Sequence, residues 1–260
     1  MSEFVLAKLE IEETAATIAA ERQYVDFAVN AIKDARSHIE RHIRRDDFFM
    51  TTMEPYDPPP GSPKVLQRMC EAASAAGVGP MATVAGGIAQ EALEAMIAQG
   101  CTHGWVDNGG DIALVLEDSA TVEVFSSPGS KNAVGLELEP TSGIVGICTS
   151  SGRLGHSISF GDADAAVAIA TDAYLADALA TAIGNRISDK SSMNTCFDDF
   201  KHLREFKGGL VLRDGDVAMY GKLPRMVDIE HNPDRITAHS KMSSQRYLGG
   251  VQARSEEVRT

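Results

Sequence analysis

The sequence predicts an α+β fold, a mainly antiparallel sheet packed with helices, and three observations lead there. Four stretches carry helical patterns: Tyr24 to Arg45, Lys64 to Ala76, Gly86 to Gln99, and the segment around Asp177. Seven short β-like segments crowd together from His103 to Ala170: "HGWVDN", "IALVLE", "TVEVFS", "VGLELE", "IVGICTS", "HSISF" and "AAVAIA". Their mixed polarity is that of antiparallel strands with part of one face open to solvent or to a site. A hairpin follows in "GGLVLRDGDVAMYG", with "DG" at the turn.

Each element has its own reason. In "FVLAKLEIEE" the apolar Val5, Ala7, Leu9 and Ile11 alternate loosely with other residues, which reads as a strand leading to a second one around Thr14 to Ala19. From Tyr24 to Arg45, Phe27, Ile32, Ala35, Ile39 and Ile43 recur at three to five residues and give an amphipathic helix. "EPYDPPPGSP" is a loop, because its prolines break both helix and ladder hydrogen bonding. "GVGP" ends the helix over Lys64 to Ala76, and Gly100 ends the one over Gly86 to Gln99. A polar helical stretch is expected around Ser191 to Phe206. After Pro224 few core-forming residues remain, so residues 1–225 are expected to form the domain and 226–260 a polar C-terminal tail.

Composition narrows the function. A net charge of -13 opposes binding to nucleic acid or to anionic membranes. No apolar run reaches the roughly 20 residues that span a bilayer, and the N-terminus lacks the order of a secretory signal, so a cytoplasmic protein without membrane insertion is expected. Cys70, Cys101, Cys148 and Cys196 lie far apart and fit reduced, buried thiols. A homo-oligomer is left open. His38 and His42, four apart in "RSHIERHIRR", read as part of a charged, solvated helix face.

Two kinds of feature point to chemistry. Glycine-rich polar segments, "VAGGIAQE", "VDNGGDIA" and "CTSSGRLGHSISFGDAD", interrupt the apolar scaffold. Glycine lets backbone approach a ligand and lets amides point at a phosphate, although paired glycines also mark plain turns. In "TDAYLADALATAIGN", Asp177 and Thr181 stand four apart on a helix that is otherwise apolar almost all round. A solvent-facing acid and a threonine bonded back into its own helix would explain them. A divalent cation would explain them equally, since carboxylate and hydroxyl oxygens suit Mg²⁺.

"ADALATA" (Ala176 to Ala182) resembles the signature of the ApbE family, flavin transferases that use Mg²⁺ and FAD to attach FMN to a threonine or serine of an acceptor protein. "NGGDI", "AGGIAQEAL" and "TSSGRLGHS" resemble further family segments, in the family's order, over about residues 80 to 222. The chain resembles still more closely a bacterial and archaeal family related to ApbE. The resemblance implies an ApbE-like, T-fold-related fold and a small anionic ligand such as FAD or FMN. It implies metal ligands at Asp177 and Thr181, and cofactor contacts at Gly86, Gly87, Asn108, Gly109, Gly110, Asp111, Thr149, Ser150 and Ser151. His156 falls at the histidine given a proton-transfer role. The chain departs from the pattern where Ala85 replaces the family's lysine, where Glu91 replaces an Asp, and where neither Asp-Pro nor Thr-Gly follows His156. The expected function is therefore a flavin- or nucleotide-binding protein with Mg²⁺, with FMN transfer following if the chemistry is retained. A non-catalytic binding or assembly protein, or an enzyme with another small substrate, are the alternatives.

Overall fold

The computed structural model describes residues 3–126, 131–151, 161–231 and 250–253. In chain order the elements are β1 (Phe4–Ile11), β2 (Thr14–Glu21), α1 (Arg22–Ile43), α2 (Phe48–Thr51), α3 (Lys64–Ala76), α4 (Val84–Ile97), β3 (Gly104–Asn108), β4 (Asp111–Val115), β5 (Ala120–Ser126), β6 (Asn132–Leu138), β7 (Val145–Ser150), β8 (Ala165–Ala170), α5 (Ala173–Asn185), β9 (Phe206–Arg213), β10 (Asp216–Gly221), β11 (Arg225–Glu230) and β12 (Gly250–Ala253). Eight strands form one sheet in the order β1-β2-β3-β4-β7-β8-β9-β10, and four form a second in the order β11-β6-β5-β12. Every neighbouring pair is antiparallel. The expected α+β fold is thus the observed one.

Period-two alternation sorts the large sheet between two cores. In β8, Ala166 and Ala168 join α1, α3, α4 and α5 in one core, while Ala165, Val167 and Ile169 meet β5 and β6 in the other. β4 divides likewise, Ala113 toward the helices and Ile112 and Leu114 toward the small sheet, with Trp105 on the same side. The result is a helical layer, an eight-stranded sheet and a four-stranded sheet. Alanine fills the helix side of the inner strands, and that small side chain lets α5 approach β7 and β8 closely. Arg36 of α1 ties the helix to the first hairpin: buried to 8% exposure, it bonds Thr14 Oγ1 at 2.6 Å, Glu12 at 2.7 Å and Glu40 at 3.0 Å.

The β9–β10 turn is the expected one, with Asp214 and Gly215 both at positive φ, 51° and 85°. Three sequence expectations need correcting. The polar helix over Ser191 to Phe206 is instead two short 3-10 turns, Ser192–Asn194 and Asp198–Phe200. Asp189 accepts from the Ser191 hydroxyl and the Ser192 amide, local bonds that compete with a helix. The stretch beyond Pro224 is not without regular structure, since β11 pairs with β6 and β12 with β5. An edge strand needs only one apolar row, and Val227 and Ile229 supply it among charged neighbours, with Ile229 packed over Gly135. The expected break at residue 225 therefore falls at the start of a strand, and His231 just after it meets Glu123 at 2.7 Å. His38 and His42 are half-buried rather than solvated, and His42 packs edge-on against Phe49 and Tyr56. The segment "HSISF", with His156, lies outside the described residues. No single helix among the described residues is long and apolar enough to cross a membrane.

Candidate functional site

The acid on the apolar helix has a partner that lies far away in sequence. The first amides of a helix have no intrahelical acceptor and gather positive potential. α4 begins at Val84, and Asp177 of α5 supplies the acceptor, taking the Gly86 amide on Oδ2 at 2.9 Å, with the Ala85 amide beside it. Asp177 is only 8% exposed. Burial pushes its carboxyl up to about 7, with those two amides pulling the other way. The glycine pair of α4 serves this junction. A methyl group on Gly86 would collide with the Ala173 carbonyl oxygen and press on Asp177 Cβ, and one on Gly87 would collide with the Tyr174 ring. Glycine is what lets the two helices cross this closely.

The "NGGD" segment reaches the same place from the sheet. Asn108 and Asp111 face each other across the β3–β4 hairpin, whose turn residues Gly109 and Gly110 have φ of 71° and 102°, values that favour glycine. The Gly110 amide donates to Asp107 Oδ1 at 2.9 Å, and Asn108 Nδ2 donates to the Ala85 carbonyl oxygen at 3.1 Å. The turn is thereby fixed to the start of α4. Asp111 lies opposite Cys148 in the β4–β7 register. The Cys148 thiol donates instead to the Ala173 carbonyl oxygen at 3.5 Å, in the first turn of α5.

Electrostatics make this corner unusual. Enclosure by protein, and then the neighbouring Asp177 carboxylate, hold the Asp111 carboxyl well above the usual range. Burial and the same two carboxylates raise the Cys148 thiol well above its ordinary value. Asp111 itself keeps partial solvent contact, as do Ala85, Thr149, Ser150 and Thr181, so the corner opens outward. Ser150 is turned toward α5, where its hydroxyl would stand 3.6 Å from a methyl group on Gly184. Among the described residues no three His, Cys, Asp or Glu side chains converge as a complete metal cage. A cation here would take part of its shell from Thr181, from backbone, and from water or phosphate oxygens, as Mg²⁺ commonly does.

Of the residues singled out in the sequence, Gly86, Asn108, Gly110, Asp111, Thr149 and Asp177 are linked through these bonds and charges. Gly87 is packed under Tyr174, Gly109 projects to the surface, and Ser151 is buried. Thr181 sits one turn beyond Asp177 on α5. His156 lies outside the described residues. Sequence reasoning passed over Cys148 as a plain buried thiol and overlooked the Ala85 backbone, because only the sheet register and helix crossing bring them in. It also missed the neighbouring ion-pair cluster: Arg68 lies 2.9 Å from both Glu91 and Glu94, and its guanidinium stacks 4.4 Å over the Tyr174 ring. The Tyr174 hydroxyl donates to Glu91 at 2.8 Å, and Gln90 accepts the Ala173 amide at 3.0 Å. A separate open cleft of about 700 Å³, lined by Tyr56, Pro58, Cys70 and Glu71, shares none of the site residues.

Comparison with known proteins gives a consistent setting. A family model described as "AbpE bacteria" matches residues 4–198. The chain is 44% identical to a UPF0280 protein of Methanocella arvoryzae over 89% of this chain and 94% of that one, and 42% identical to a UPF0280 protein of Archaeoglobus fulgidus over 88% and 97%. Among solved structures it is similar to the apo form of Pseudomonas stutzeri flavinyl transferase ApbE, with a TM-score of 0.54 at 10% identity over 84% of this chain and 94% of that one. It is similar also to the ApbE protein of Thermotoga maritima, with a TM-score of 0.53 at 12% identity over 85% and 97%. At such identities the structural likeness establishes the fold.

Proposed function

The chain belongs to the family of UPF0280 proteins, relatives of ApbE, and from that premise we propose that it binds FAD or a similar dinucleotide through Mg²⁺ at Asp177 and Thr181. One observation carries this reading. A carboxylate is buried on an apolar helix, held in place by the amides of a second helix, and faces another carboxylate rather than a basic side chain. The donor set fits a hard cation: the Asp177 carboxylate and the Thr181 hydroxyl follow one another on a single helical face. Mg²⁺ when bound supplies neutralising charge to the pyrophosphate oxygens. The rest falls to the chain itself. The start of α4 aims amide dipoles at the site, and Gly109 at the tip of the β3–β4 turn exposes backbone that a ligand can approach.

FMN transfer would use the same arrangement. An acceptor hydroxyl attacks the phosphorus nearest the flavin, the phosphoanhydride bond to AMP breaks, AMP leaves, and the hydroxyl proton passes to His156. This chemistry depends on positioning and charge more than on a protein nucleophile. Ala85 in place of a lysine, and the missing Asp-Pro after His156, favour binding without transfer, so binding is tested first. Calorimetric titration of FAD with and without Mg²⁺ should show Mg²⁺-dependent binding to the parent. That dependence should be lost in Asp177→Asn, which keeps an oxygen to accept the Gly86 amide, and weakened less in Thr181→Val. A parent protein that binds no nucleotide under either condition overturns the reading.

A further inference from the structure

We propose that Asp111 is a second anionic donor of the Asp177 cation site, so that the protein takes up a divalent cation before any nucleotide arrives. This rests on the reading of Asp177 as a cation ligand, and extends it to a residue on another element. Asp111 and Cys148 are directly opposite in an antiparallel pair, so their side chains share one face of the sheet. Cys148 belongs to the helix-side core, and its Sγ lies 3.5 Å from the Ala173 carbonyl oxygen in the first turn of α5. Asp177 follows one turn later on that helix, with Gly86 fitted against both Ala173 and Asp177. Asp111 therefore projects toward the turn of α5 that carries Asp177. Ala113, two residues on in the same strand, belongs to the helix-side core as well, which fixes that face of β4.

The donor chemistry gives the consequence. One carboxylate with one neutral hydroxyl holds a hard divalent ion weakly and leans on the phosphates of a ligand to complete the charge. Two facing carboxylates match the charge of the ion themselves. The charged side chains that act most on Asp111, Asp177 and then Asp107, are both negative. Asp111 is half-buried as a residue while Asp177 is buried, so the pair lies just beneath the surface.

The test is Mn²⁺ titration without nucleotide, free ion followed by electron paramagnetic resonance, on the full chain. The parent should bind, Asp177→Asn should lose binding, and Asp111→Asn should weaken it tenfold or more. Asp118→Asn, an exposed acid on the β4–β5 turn, should leave it unchanged. Thermal melting of the same samples guards against misfolding: without metal Asp111→Asn should melt at or above the parent, because one of two repelling carboxylates is gone, and Mn²⁺ should raise its Tm less. Parent-like Mn²⁺ affinity in Asp111→Asn overturns the inference, as does a parent that binds no Mn²⁺ without nucleotide. Mg²⁺-dependent FAD binding in that second case would leave the function proposed above intact. Mn²⁺ binding without any FAD binding would do the reverse.

Discussion

Two polar clusters lie on the same helix pair, one half-buried and one buried, and they are built on opposite rules. In one, Glu91 and Glu94 of α4 are met by Arg68, and Tyr174 closes the cluster by donating to Glu91 and lying under the guanidinium. In the other, Asp177 and Asp111 meet backbone amides, a thiol and each other. The first is satisfied within the chain, and a satisfied network fixes one arrangement of its helices. The second carries like charges whose repulsion the fold tolerates. Buried groups perturbed in that way tend to mark functional sites. The difference separates acids that hold the structure together from acids kept for something else.

Breaking the satisfied cluster should have the largest effect. Arg68→Met keeps the packing over Tyr174 but leaves Glu91 with only the Tyr174 hydroxyl and Glu94 with Gln90 and the more distant Lys64, and should lower stability by roughly 1–2 kcal/mol, below the range for fully buried pairs because the cluster is partly open to solvent. Denaturant unfolding measures it, and a parent-like midpoint would place this cluster with ordinary surface pairs.

Next comes the junction between the clusters. Gly86→Ala forces a methyl group against the Ala173 backbone, so α4 and α5 must separate, at about 1–3 kcal/mol. The same substitution should disturb the hydrogen bond from the backbone amide at this position to Asp177, which the shift of that amide proton, compared between parent and variant, would register.

The smallest effect sharpens the contrast most. The Asp177 carboxyl keeps its proton to about pH 7 in the folded chain, whereas an unfolded aspartate loses it near 3.8. Between those values the native state binds more protons, so this group's contribution makes stability fall as pH rises from about 4 to 7 and level off above. Asp177→Asn should remove this group's share of the slope, leaving that of the neighbouring Asp111, and leave stability near neutral pH unchanged or higher. Thermal melts across that range test it, and a parent-like slope in the variant would show that another group is responsible.

Much of this was legible in the sequence, and the gaps have physical causes. Periodicity gave α3 its limits, since a strong apolar stripe and Gly77 leave little choice, and "DG" gave the last hairpin of the large sheet. α4 starts two residues earlier than its glycines suggest, because a 3-10 turn from Pro80 to Thr83 leads into it. Asp177 stood out because a lone acid on an apolar helix demands an explanation. Its nearest answer, the start of α4, is 91 residues away and visible only once the helices cross. The resemblance marked Asp111 as a cofactor contact, but only the register places it opposite Cys148 and toward α5. β11 escaped notice because charged residues on its open face mask a short apolar row.

The setting of Cys148 has a chemical consequence of its own. Thiol reagents attack the thiolate, and this sulfur is kept in its protonated form by burial and then by the carboxylates that crowd the corner. Cys70 and Cys196 are pushed up to about 11 by burial, and Cys101 is raised as well, so all four thiols are shielded from alkylation in the native fold. Labelling at Cys148 therefore reports an opening event. The protein carries its own clock for how often β7 and α5 part, at the position where the two carboxylates meet.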